Sequence, residues 1–293
     1  MRRREFWVLV TPSVIVMFGF MLVPLYRTVR WSFQKVEYGT PGTSVGVSNY
    51  SGALTDARLG QAVAFTLGLT VVVTTFCLVF GYVLASLVNQ LHRMRPVVLG
   101  VVLIPYVLPH VVGAVAFSWL FDSNFGGIFN FVVNGVTGGA LGEPLWFTSV
   151  WPNRLLIAAN AVWFMLPFAM LMILAGLQGV SEETLEAAEI DGASPLQRHL
   201  FVIIPSIRGV LGFVLLIFTM DVLRIFDSLI ALSPQAVSLG NESIMLYIYN
   251  VAFREGAVNL GLGSAISVLT IVLILVLLYP SIRTLVREAR AAA

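Results

Sequence analysis

The sequence predicts an all-α polytopic membrane protein with six transmembrane helices, and three observations predict it. Of 293 residues, 58% are hydrophobic and only 11% charged, with a mean hydropathy of +0.91. A chain this apolar takes the bilayer as its solvent. Apolar stretches of roughly 20 residues or more recur along it, each long enough to cross a hydrocarbon core of about 30 Å as a helix. The charged residues collect in the connectors, where arginine is unevenly shared between the two sides.

Arg2, Arg3 and Arg4 lead into an apolar run over 6–26. The run is long, holds Pro12 and Pro24, and lacks a small-residue cleavage site, so it reads as an uncleaved first span rather than a signal peptide. A loop over 27–61 follows, with Gly39, Pro41, Gly42 and Gly46 as turn residues. The second span lies within the charge-free interval 59–91, before the basic loop His92-Arg93-Met94-Arg95-Pro96. The third, over 97–121, is interrupted by Pro105 and Pro109; such breaks are tolerated where neighbouring helices satisfy the freed carbonyls. The connector 122–154 holds an apolar piece, 128–133, too short to span. Spans four, five and six cover 155–177, 209–232 and 260–282, and a tail carries Arg283, Arg287 and Arg290.

With the N-terminus inside, the inner side holds Arg2, Arg3, Arg4, Arg93, Arg95, Arg198, Arg208, Arg283, Arg287 and Arg290. The outer side holds Arg27, Arg30, Lys35, Arg58, Arg154 and Arg254, across longer loops. The excess places both termini and the 181–207 segment in the cytoplasm.

Composition also excludes functions. A net charge of +2 argues against a nucleic-acid surface. The one cysteine, Cys77, sits in an apolar run and reads as a small core residue. His92, His110 and His199 are scattered, so no metal site is expected. Lys35 is the only lysine and follows no glycine-rich loop, so the chain holds no Walker A motif; an ATPase that drove it would be another polypeptide.

The most polar long segment runs from Ser181 to Pro205. Ser181 suits an N-cap, with Glu182 and Glu183 in the first turn. Glu182, Glu186 and Glu189 share one face; Leu185, Ala187 and Ala188 lie towards the other. Gly192 fits the left-handed residue that ends a helix, and Ser194-Pro195 fits N-cap and first position of the next. The segment reads as helix, glycine corner, helix: either a dock for a partner or a solvated connector.

The run Glu186-Ala187-Ala188-Glu189-Ile190-Asp191-Gly192-Ala193, with Pro205 thirteen residues after Gly192, resembles the cytoplasmic coupling motif of ATP-binding-cassette importer permeases. Glu186, Ala187, Ala188, Asp191, Gly192, Ala193 and Pro205 match that motif. His199 departs, standing where carbohydrate-type permeases usually carry an aromatic. Pro24, Ser32-Phe33, 45–50, Asp56, Ile104-Pro105, 175–178, Phe226-Asp227, 247–249 and 261–265 are similar to maltose-type sugar permeases, so the resemblance covers most of the chain. Ser233-Pro234-Gln235-Ala236-Val237 departs from the family's Thr-x-Gly-Gly-Pro.

The resemblance implies a type I ABC importer permease-like fold: a single transmembrane permease domain over 1–293, with a cytoplasmic coupling segment at 181–207 between spans four and five. It implies a permease subunit of an ATP-driven sugar importer that works by alternating access and is not itself an enzyme. No cofactor is bound by the chain, ATP and Mg belonging to the partner ATPase. The implied partners are a second homologous permease chain, two ATP-binding-cassette ATPase subunits, an extracytoplasmic solute-binding protein, membrane lipid and a carbohydrate substrate, in a bacterial or archaeal inner membrane. Glu186 to Gly192 would seat in an ATPase cleft.

Asp221, Arg224 and Asp227 are the ionisable residues well inside a span. One charge at a helix centre costs about 2.5–3.5 kcal/mol on insertion scales, so such groups pair or face water. Three readings stay open: a buried salt-bridge network, a polar patch on the solute path, and an ion relay. Asn160 and Trp163 in span four, and Tyr249 and Asn250 before span six, are weaker candidates for the path, with packing the competing role. Gly261 and Gly263 suit close helix contacts. The rival classes are an ion-coupled secondary transporter, which usually shows internal repeats not evident here, and a membrane-anchored assembly protein. Neither explains the motif spacing. The solute stays open among disaccharides, polyols and glycerol phosphodiesters.

Overall fold

Apolar runs with few breakers fold as long helices, and four do so here. Arg3–Ser32, Ala57–Asn89, Val150–Gln178 and Leu260–Ala291 are α-helical. Each holds a stretch long and apolar enough to cross a membrane, with mean hydropathy 2.3, 2.4, 2.1 and 2.6. The computed structural model describes residues 3–37, 41–122, 127–139, 142, 144–254 and 259–291, with side chains between 7 and 284. Arg2 and Gly39 lie outside the described residues, as do the side chains of Arg3, Arg4, Arg287 and Arg290.

The other two expected spans arrive in pieces. Span three is Arg95–Val102, Ile104–Val107 and His110–Phe121. Pro105 and Pro109 lack the N–H that would continue the ladder, and Leu108, before Pro109, is extended at ψ 144. Span five is Arg208–Leu223 followed by Asp227–Leu232, so the continuous helix expected over 209–232 is corrected to two. The first helix passes its expected end and runs to Ser32, because 27–32 contains no glycine or proline to stop it. The expected loop after it holds the helix Ser48–Thr55 and a two-residue antiparallel pairing of Gln34–Lys35 with Thr43–Ser44. The apolar piece after span three is the helix Ile128–Thr137.

The chain divides into two compact units, Met1–Gly60 with Leu246–Leu275, and Gln61–Met245 with Val276–Ala293. In the first, Asn49 Nδ2 donates to the Ser32 and Gln34 carbonyls at 3.0 and 2.9 Å, and Leu260 N–H donates to Val36 O at 2.9 Å. Tyr247 donates its hydroxyl to Asp56, and Arg58 lies over the Tyr247 ring. Gly261 and Gly263 are close contacts, as expected: a Cβ at Gly261 would run into the Gln34 carbonyl, and one at Gly263 would sit 2.7 Å from Ala252 Cβ. Backbone cannot yield as a side chain can. Gly261→Ala is therefore expected to cost about 3 kcal/mol or more, the upper end for overpacking. A lowered melting temperature of the purified protein measures it; an unchanged one overturns the close-packing account.

In the second unit Phe65 faces Arg154 and, further along, Gly81 faces Ala169. The helices Ala57–Asn89 and Val150–Gln178 thus lie side by side in the same direction. Their far ends meet in a core of Ala85, Val88, Met170, Ile173, Leu174, Leu177 and Ile207, with Cys77 buried one turn before Gly81.

Candidate functional site

Two places in the second unit carry the expected functional residues. The first is a cavity of about 670 Å³ where the two broken spans meet the Val150–Gln178 helix. Leu223 ends its helix because Arg224 leaves helical geometry, at φ −101° and ψ 11°, and Phe226 follows at φ −145° and ψ −59°. The carbonyls freed there need donors, and Ser243 Oγ supplies one to Ile225 O at 2.7 Å. Irregular backbone at membrane depth is stable where it lines a cavity, and residues 224–228 do line it. The Pro105–Pro109 break brings Tyr106, Leu108 and His110 to the opposite wall.

Asp221, Arg224, Asp227 and Asn160 all line this cavity. Arg224 Nη2 donates to Asp221 Oδ1 at 3.0 Å, with the two side chains 59% and 47% exposed. That is a solvated pair on a cavity wall, so the buried-network reading is corrected. The cause is the helix break, which also puts Asp227 at the first position of the next helix, where a carboxylate suits the dipole. Asn160 is 3% exposed and its Nδ2 has no hydrogen-bond partner. A buried donor left unmet costs about 1–3 kcal/mol.

Tyr249 and Asn250 belong to the other compact unit, where Tyr249 packs on Phe253. Trp163 packs on Phe117 and against Gly113 instead of lining the cavity, so its packing role prevails. The aromatic walls were missed from sequence. Phe164 stacks on His110 at 3.9 Å between ring centroids, and Phe168 on Tyr106 at 5.4 Å. Phe164 and Phe168, four apart on one helix face, and the two prolines beside Tyr106 and His110 were the available signals.

The second place is the segment after Gln178. The helix Glu182–Ile190 starts at Ser181, whose backbone is extended as an N-cap should be, although its hydroxyl makes no capping bond. Gly192 is left-handed at φ +81°. Gly192 N–H donates to Glu189 O and Ala193 N–H to Ala188 O, both at 3.0 Å, which is the paired C-terminal pattern that a glycine at this position permits. Ser194 then caps the helix Pro195–Arg198 in a reciprocal box: Gln197 N–H donates to its hydroxyl and Gln197 Oε1 accepts from its N–H. Arg198 reaches back to Glu189 at 3.0 Å and ties the two helices across the corner. Glu182, Glu186 and Glu189 are exposed together. Leu185 and Ala188 are half-buried, while Ala187, expected beside them, is exposed.

A π turn at His199–Ile203 follows, just before Pro205, which has no N–H to donate. His199 Nδ1 and the Tyr82 hydroxyl share a 2.6 Å hydrogen bond with the rings edge-on, so the histidine makes an aromatic contact with the Ala57–Asn89 helix. The helices Pro195–Ser206 and Arg208–Leu223 meet at 70°. Ile190, Leu196 and Phe201 stand 87%, 67% and 74% exposed.

Residues 77–289 match the model of a protein family described as the binding-protein-dependent transport system inner membrane component. The chain belongs to that family. This permease is 32% identical over 269 residues to the trehalose transport system permease protein SugA of Mycobacterium tuberculosis, covering 91% of this chain and 84% of that one. It is 28% identical to the trehalose/maltose transport system permease protein MalF of Thermococcus litoralis, covering 92% and 89%. Its fold matches a chain of a bacterial ABC transporter that imports the acidic polysaccharide alginate, with a TM-score of 0.82 at 19% identity over 98% and 96% of the two chains. The permease is thus a multi-pass membrane protein of type I ABC importer fold and the transport subunit of an ATP-driven importer. Members of the family are not enzymes and have no cofactor of their own. Family membership displaces the ion-coupled and assembly-protein alternatives.

Proposed function

We propose that the permease carries a neutral sugar through the 670 Å³ cavity by alternating access, driven by two ATPase subunits that grip the 181–207 segment. The observation that carries this reading is the coupling segment itself. Its polar sequence folds into two capped helices with Ile190, Leu196 and Phe201 turned outward. Apolar side chains this exposed at the end of a rigid corner suit burial in a partner cleft, beside the carboxylates of Glu186 and Asp191. The buried cluster around Leu177 and Ile207 anchors the segment to the helices that line the cavity, so motion of a partner is carried to the cavity rather than absorbed.

Alternating access closes one end of the cavity while the other opens. An outer solute-binding protein then delivers substrate, and a second, homologous permease chain completes the path. The first helix, with Phe20 80% exposed, offers an apolar face to lipid or to that chain. The arginine bias supports an inner membrane with both termini cytoplasmic. ATP and Mg are bound by the ATPases.

The cavity supports a sugar as cargo. The exposed Tyr106 ring on the cavity wall, backed by Phe168, suits the C–H face of a pyranose. The half-exposed Asp221–Arg224 pair offers both acceptor and donor to hydroxyls. Two carboxylates against one guanidinium leave the wall net negative, which disfavours uronates and sugar phosphates. The relatives named for trehalose and maltose support a disaccharide. The test is ATP hydrolysis by the reconstituted complex with its binding protein, across neutral disaccharides, polyols, uronates and sugar phosphates. Stimulation by a neutral disaccharide, at least tenfold above any anionic sugar at equal concentration, is expected. Stimulation by an anionic sugar alone would overturn the charge argument.

A further inference from the structure

We infer that a groove between the helices Ala57–Asn89 and Val150–Gln178, apart from the cavity above, is a binding site for one anionic phospholipid, its phosphate on Arg154 and an acyl chain along Gly68. The groove holds about 700 Å³, within the range of ligand sites. Its polar and apolar walls are segregated as an amphiphile is. Arg154, Gln61 and Ser238 stand at one end; Leu69, Val72 and Ala158 line the rest. Small residues open it: a Cβ built on Gly68 meets nothing within 4 Å.

The charge at its head is unbalanced. Arg154 Nε donates to Asn241 Oδ1 at 2.7 Å and Nη2 to Gly240 O at 3.3 Å, which fixes the guanidinium without neutralising it. It lies over the Trp151 ring at 5.0 Å and the Phe65 ring at 5.9 Å. Among the described residues no carboxylate pairs with it. An unpaired cation at the membrane end of an apolar groove calls for an anion, and guanidinium takes phosphate oxygens in a bidentate fork. Trp151, 69% exposed beside it, is the residue type that marks the headgroup level.

Length agrees with a lipid. From Phe65, beside Arg154, to Val72 the helix rises about 10 Å at 1.5 Å per residue, about a third of a hydrocarbon core of about 30 Å, which seats the upper part of one acyl chain. A free phosphate would use the Arg154 end alone and leave the apolar length unfilled.

The test uses the full-length permease in its purified complex, with native mass spectrometry of bound lipid during titration with phosphatidylglycerol or phosphatidylcholine micelles. One phosphatidylglycerol per chain is expected to persist, at least tenfold more tightly than phosphatidylcholine. Arg154→Gln is expected to erase that preference. Because Arg154 also holds Asn241 and Gly240, Gly68→Leu provides a second variant: it fills the groove, leaves those bonds intact, and is expected to expel both lipids. Retention of lipid by Gly68→Leu, no preference in the wild type, or displacement by millimolar inorganic phosphate would each overturn the assignment. So would cross-linking of Gly68→Cys to a second permease chain, which would make the groove a protein interface.

Discussion

Gly192→Val is expected to uncouple transport from ATP hydrolysis. A Cβ at this position meets nothing within 4 Å, so crowding is not the obstacle; the backbone is, at φ +81°. A left-handed residue with a side chain costs roughly 1–2 kcal/mol, and a β-branched one is the worst case. The chain escapes by rotating the corner. That breaks the paired bonds from Gly192 and Ala193 to Glu189 and Ala188, and with them the Glu189–Arg198 tie. The two short helices then no longer present Ile190, Leu196 and Phe201 as one surface. Solute-stimulated ATPase activity is expected to fall to the basal rate and uptake to drop at least tenfold, while the membrane helices fold normally. Asparagine tolerates the left-handed region, so Gly192→Asn is expected to keep a large share of coupling. Full coupling in Gly192→Val would show that the corner is a passive link.

The second large effect is expected at Arg224. Removing it leaves Asp221 and Asp227 as uncompensated carboxylates on the cavity wall. Because the Asp221–Arg224 pair is about half exposed, its direct worth to stability is small, of the order of 0–1 kcal/mol. Loss of function is therefore expected to come from the solute path. Arg224→Gln should lower uptake at least tenfold, with a raised half-saturation concentration and an unchanged melting temperature. The double variant Asp221→Asn with Arg224→Gln separates the roles. A pair that only braces the break would be rescued when both charges go, since no lone charge remains; a pair that holds solute would not. We expect no rescue. Recovery of uptake in the double variant would assign the pair to structure and leave the aromatic walls as the contacts to solute.

Much of this protein is legible in its sequence. Hydropathy over about 20 residues locates spans because the bilayer demands internally bonded backbone, a local condition. Helix ends are local too. Gly192, Ser194 and Pro195 announce a corner because left-handed φ, a hydroxyl acceptor and a missing N–H each act within a few residues, and the corner forms as read. The spacing from Glu186 to Pro205 carried the family resemblance for the same reason.

Tertiary structure decided what distant residues do together. The period-three spacing of Asp221, Arg224 and Asp227 suggested one helical face, but the helix stops at Leu223, and Ser243, 18 residues beyond Ile225, holds the broken backbone. Asn160 lines the same cavity as they do, a grouping that no local pattern records. Tyr106, His110, Phe164 and Phe168 looked like ordinary span residues until packing set them around one space. Arg154 read only as a loop charge; its place at the head of an apolar groove depends on the helix that carries Phe65, nearly ninety residues earlier in the chain. Backbone geometry and solvent preference act between near neighbours and are written in sequence. Cavities and the pairing of charges arise where elements far apart in the chain meet, and only the folded chain determines them.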